Sequence, residues 1–90
     1  MLSSLRERVL EVAAQHKATD VRVFGSVARG QDASGSDLDL LVRFAPDADL
    51  FDVADLAAVL EDLTGLHVDV VSENGLRPGP NPIRDEAIAL

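Results

Sequence analysis

The run Asp-Leu-Asp-Leu-Leu-Val-Arg-Phe at positions 37–44 constrains this chain more than any other stretch. Its apolar content and short length predict a buried strand, and side chains alternate between the two faces of a strand. Asp37 and Asp39 must therefore project from one face, while Leu38, Leu40 and Val42 project from the other into a core. A carboxylate pair is thus fixed by strand geometry alone. Asp69 has a similar setting between Val68 and Val70, in a third predicted strand over residues 67–72.

The rest of the chain supplies what such a strand needs around it. Apolar residues at three- and four-residue steps over positions 2–15 predict an amphipathic helix, with Ser3 or Ser4 available as its cap. Val21 and Val23 lead to Gly25 in a first strand that ends in a tight turn, and residues 26–30 are expected to hold the turn and the start of a short helix. Residues 31–36 read as a polar loop. Residues 51–63 carry a broad apolar face with Gly65 as the stop signal, predicting the second long helix. The Pro/Gly-rich stretch 77–82 reads as irregular, and residues 83–90 as the possible start of a last helix. The order helix, strand, short helix, strand, helix, strand predicts an α/β protein, a small sheet covered by helices.

Ninety residues are expected to form one domain, residues 1–90, with a thin core and no room for a second substrate-binding domain. Aromatics make up 3% of the chain, so that core is aliphatic. Without cysteine, any metal must be held by oxygen or histidine. The N-terminal residues lack the unbroken apolar run of a signal peptide or membrane span, which points to a cytoplasmic protein with no membrane role. A formal charge of −8 argues against direct nucleic-acid binding, which draws on Lys and Arg to neutralise phosphates. The acidic excess fits either a basic protein partner or simple solubility.

If the strands bearing Asp37, Asp39 and Asp69 are neighbours, three carboxylates converge. At an effective dielectric of about 20, each like-charged pair ~4 Å apart costs about 4 kcal/mol, so the cluster calls for a cation. Oxygen donors select magnesium or manganese, and two such ions would activate a hydroxyl and stabilise a leaving pyrophosphate. Gly25 and Ser26, at a strand-to-helix junction, offer free backbone N–H groups to a phosphate. Gly25 to Gly30 has P-loop spacing, but Gln31 and Asp32 stand where Lys and Ser or Thr are required, which excludes a Walker-type ATPase. Arg29 either faces the phosphates or pairs with Asp32 or Asp37. His16 and His67 lack a partner at metal-ligand spacing and read as structural.

Taken together, Gly25-Ser26-Val27-Ala28-Arg29-Gly30, then Asp37-Leu38-Asp39, then Asp69 within His67-Val68-Asp69-Val70-Val71, resemble the signature of the nucleotidyltransferase superfamily that shares the DNA polymerase β palm fold. The pattern is most similar to the minimal nucleotidyltransferases paired with HEPN-domain partners in toxin–antitoxin modules. The resemblance implies that Gly25 and Ser26 hold the nucleotide phosphates, that Asp37 and Asp39 ligate two metal ions, and that Asp69 ligates the catalytic one and acts as or positions the base. It further implies an antitoxin that transfers AMP from ATP to a tyrosine hydroxyl of a HEPN toxin, with magnesium or manganese as cofactor. Two other readings stay open: a binding antitoxin that masks the toxin sterically, and an aminoglycoside-type adenylyltransferase whose acceptor pocket lies on a separate subunit. One departure from the family pattern is the Pro/Gly-rich stretch 77–82, which stands where a basic helical tail is usual.

Overall fold

A computed structural model describes residues 3–25 and 38–90. In chain order these form helix α1 (Ser3–Gln15), strands β1 (Ala18–Phe24) and β2 (Leu38–Phe44), helix α2 (Leu50–Thr64), strand β3 (Val68–Ser72), a 3₁₀ turn (Glu73–Gly75), a short helix α3 (Pro82–Glu86) and strand β4 (Ile88–Ala89). The short helix expected over residues 26–30 lies outside the described residues, as does the loop 31–36.

The strands form one mixed sheet in the order β3-β2-β1-β4. β1 runs antiparallel to both β2 and β4, whereas β2 and β3 are parallel and are joined through α2. That connection is what a parallel pair requires, because no tight turn can reverse the chain twice. Alternation along β2 then separates two environments. Leu38, Leu40, Val42 and Phe44 are buried with Val21, Val23 and Val68 of the neighbouring strands, against Val9 and Ala13 of α1 and Leu56 and Leu60 of α2. Leu41 faces the opposite way and is also fully buried, with the 3₁₀ turn packed on β2 and α3 on β1.

Local chemistry fixes the ends of α2. Asp49 is its N-cap: its carboxylate accepts from the Asp52 backbone N–H at 3.1 Å, and the Asp52 side chain accepts from the Asp49 N–H at 3.0 Å. This reciprocal capping box also holds the Asp52 carboxyl below its usual range, first through the Asp49 backbone N–H. Gly65 closes the helix at φ 72°, donating its N–H to the Glu61 carbonyl at 2.9 Å. Asp49→Ala is expected to cost about 1 kcal/mol, lowering the melting midpoint by about 5 °C for a chain of this size. A thermal melt followed by circular dichroism checks this.

The last helix expected from residue 83 is present, but its bounds depart from the sequence reading. Pro82 does not prevent a helix but starts one, at a first-turn position where no N–H is needed, and the Asn81 side chain caps the Ile83 N–H at 2.9 Å. The helix stops at Glu86, and Ile88 and Ala89 instead pair with Val23 and Arg22 at the sheet edge. Among the described residues no helix is long and apolar enough to cross a membrane.

Candidate active site

The face of the sheet opposite the two long helices carries the candidate site. In the register of the sheet, Phe24 of β1 stands beside Asp39 of β2, and Asp39 beside Asp69 of β3. Paired residues on neighbouring strands point to the same side, with the strands about 4.8 Å apart. The strands bearing Asp39 and Asp69 are therefore neighbours, the condition on which the sequence left their convergence, and the two residues are side by side on one face. Asp69 is open to solvent, its side chain 54% exposed, and Asp39 is partly buried.

Gly25 follows directly on Phe24 and adopts φ 77°, the left-handed conformation that favours glycine. Its backbone is pressed against the Asp39 side chain. A Cβ at Gly25 would overlap Asp39 Oδ2, and it would lie 3.2 Å from Asp39 Cγ and 3.4 Å from Asp39 Cβ. The absence of a side chain at this turn is what leaves room for the carboxylate. Gly25, Asp39 and Asp69 are thus brought together. Ser26, Arg29 and Asp37 lie outside the described residues.

Sequence reasoning missed the surroundings of Asp69. His67, read as structural, lies two residues before it and on the same face. Its Nε2 is 3.2 Å from Asp69 Oδ1, and its Nδ1 is 3.0 Å from Glu61 Oε2. The same Glu61 oxygen accepts the Val68 backbone N–H at 3.0 Å. The two-residue spacing was the available signal for the His67–Asp69 contact. Glu61 gave none, because only the packing of α2 against β3 brings it close.

Two adjacent carboxylates repel, by about 3 kcal/mol for charges ~5 Å apart at an effective dielectric of about 20. They also make a hard oxygen donor set. Among the described residues, no group of three or more His, Cys, Asp or Glu side chains is arranged to hold a metal ion. A pair of carboxylates nevertheless fits magnesium, which keeps much of its water shell and binds through one or two carboxylates plus substrate phosphates. Asp39 and Asp69 would hold such an ion, and the open backbone at Gly25 would let phosphate oxygens approach it.

A second polar cluster occupies the far end of the same face. Glu73 is buried at 8% exposure, and its Oε2 lies 2.7 Å from Arg22 Nη2 and 2.8 Å from Arg43 Nη2. Arg43 Nε also donates to that oxygen at 2.8 Å, and Arg84 Nε donates to Oε1 at 3.3 Å. The Arg22 contact is a close ion pair rather than a well-aligned hydrogen bond. These guanidiniums, Arg22 foremost, pull the Glu73 carboxyl down to about 2 from an ordinary 4.5. Arg84 also donates to the carbonyls of Gly79 and Arg77 at 2.6 and 3.2 Å, tying down the Pro/Gly-rich stretch. Arg43 lies four residues beyond Asp39, about 13 Å along the strand at 3.3 Å per residue. The cluster is structural and separate from the carboxylate pair.

Residues 3–89 match the family described as the nucleotidyltransferase domain. A solved structure described as a candidate minimal nucleotidyltransferase is 51% identical, covers 97% of this chain and 90% of its own, and superposes with a TM-score of 0.84. The protein adenylyltransferase MntA of Thermococcus cleftensis is 36% identical over 69 residues, spanning 77% of this chain and 70% of the relative. A structure of tri-AMPylated HEPN toxin in complex with MNT antitoxin, from Shewanella oneidensis, shares the fold at a TM-score of 0.64 and 20% identity, over 86% of this chain and 60% of that one.

Proposed function

This chain belongs to the nucleotidyltransferase domain family, and from that premise we propose that it is the antitoxin of a toxin–antitoxin pair, transferring AMP from ATP to a tyrosine hydroxyl of a HEPN toxin. The observation that carries the reading is the placement of Asp39 beside Asp69 on an open face, against the side-chain-free backbone of Gly25.

Each residue has a role in that reaction. Gly25 and Ser26 bind the nucleotide phosphates, with Arg29 as a further phosphate ligand. Asp37, Asp39 and Asp69 would hold the magnesium. Bound magnesium supplies charge neutralisation at the phosphates and a lowered pKa for the attacking hydroxyl. The tyrosine oxygen bonds to the α-phosphorus as the bond from that phosphorus to the bridging β-oxygen breaks. Pyrophosphate leaves, and Asp69 accepts or directs the phenolic proton.

One feature supports a protein acceptor. Leu50 and Phe51, at the start of α2, are 83% and 77% exposed and give apolar surface for a docked protein.

The test incubates the protein with labelled ATP, magnesium and the product of the adjacent gene, comparing wild type with Asp39→Asn and Asp37→Asn. Label on a partner tyrosine with wild type alone is the expected result. Tight complex formation without label, unchanged in the variants, would leave a steric antitoxin instead.

A further inference from the structure

Asp69 faces its reaction from an exposed position, and an exposed aspartate samples several side-chain rotamers. A metal ligand or proton acceptor must instead hold one orientation, within a fraction of an ångström. His67 and Glu61 meet that need. The His67 carbonyl accepts the Leu38 N–H at 2.8 Å, which anchors the residue to β2 just before β3 begins. Its ring then reaches forward, with Nε2 3.2 Å from Asp69 Oδ1 and Nδ1 3.0 Å from Glu61 Oε2.

Glu61 is itself fixed. It sits in the last turn of α2, where its carbonyl accepts the Gly65 N–H at 2.9 Å and its carboxylate accepts the Val68 N–H at 3.0 Å. Helix, carboxylate, imidazole ring and aspartate are in contact in sequence as far as the candidate site, and because both carboxylates only accept, each contact is a hydrogen bond when the ring nitrogen facing it carries the N–H.

We propose that His67, steadied by Glu61, is the positioning residue of Asp69: it engages Oδ1 and so leaves Oδ2 as the oxygen that binds metal or takes the proton. The inference rests on the proposed role of Asp69. Residues that orient metal ligands typically change metal affinity or activity by about 10–100-fold when replaced. The low end applies here because the His67 side chain is 60% exposed.

The experiment compares wild type, His67→Ala, His67→Gln, Glu61→Gln and Asp69→Asn in two assays. One is manganese binding in the presence of a non-hydrolysable ATP analogue, read by electron paramagnetic resonance. The other is AMP transfer to the partner, with kcat and the KM for ATP measured separately. His67→Ala is expected to weaken manganese binding and lower kcat by about tenfold each, with KM changed less than about twofold. Glutamine, whose amide can take the place of Nε2–H, is expected to restore most of both, and Glu61→Gln to fall between. Thermal midpoints of the His67 variants should stay at the wild-type value.

Manganese binding by His67→Ala equal to wild type would overturn the inference, as would equal losses in the Ala and Gln variants or unaltered binding by Asp69→Asn. If wild type transfers no AMP, the proposed function fails, and the manganese assay still decides the role of His67.

Discussion

Gly25→Ala is expected to lower AMP transfer by about a hundredfold or more while leaving the protein folded, because a misplacement of about 1 Å at a reacting centre costs that much. The added methyl would occupy the place of Asp39 Oδ2, with Asp39 Cγ only 3.2 Å away. The carboxylate must swing aside or the turn must open, and either movement separates the phosphate-binding backbone from the metal ligand. The stability cost is smaller: a left-handed φ of 77° costs an L-residue about 1–2 kcal/mol. Gly65 provides the control. It has nearly the same φ, 72°, but a Cβ there meets nothing within 4 Å. Gly65→Ala should therefore carry the same backbone strain and lose stability without losing activity. Steady-state transfer assays and thermal melts on the two variants separate the effects, and equal activities would refute the role given to the Gly25 approach.

The parts of this fold that sequence revealed are those written in local periodicity. Leu38, Leu40 and Val42 alternate with Asp39 because one face packs on the two long helices, and the structure keeps that face, although the other is open only near Asp39 and Asp69 and is covered at Leu41. Val9, Ala13, Leu56 and Leu60 followed from helical spacing in the same way. The start of β1 did not. Ala18, Thr19 and Asp20 lack a strand signature, and the strand reaches back to them through a register shift between Ala18 and Asp20 that only pairing with β2 can produce. β4 is two residues long and exists because Val23 and Arg22 offer it an edge. Adjacency of Asp39 and Asp69 depended on strand order, which periodicity does not encode; the resemblance to nucleotidyltransferases carried that expectation.

Glu73 marks the far limit of that legibility, since it lies in a turn after β3 and gathers arginines from positions 22, 43 and 84. Glu73→Ala is expected to destabilise the protein by about 3 kcal/mol, the low end for removing one partner from a buried ion cluster. The low end is appropriate because Arg43, one of the three partners, keeps its side chain 58% exposed, where solvent screens its charge. For a chain of this size, the loss lowers the melting midpoint by about 15 °C. Acid provides a sharper check. The carboxyl titrates near 2 in the folded chain against an ordinary 4.5, so the unfolded chain takes up its proton first as pH falls. Its stabilisation is complete above about pH 4.5 and drains away towards pH 2. Glu73→Gln keeps the shape and an acceptor oxygen but cannot titrate. It should melt well below wild type at pH 7, and the difference should shrink steadily from pH 4.5 to pH 2 as the wild-type carboxylate is protonated. Melting midpoints of both proteins across that window decide the matter: converging curves place the charge of Glu73 at the centre of the cluster, and parallel curves would mean that packing of the side chain, not its ionisation, holds the three arginines in place.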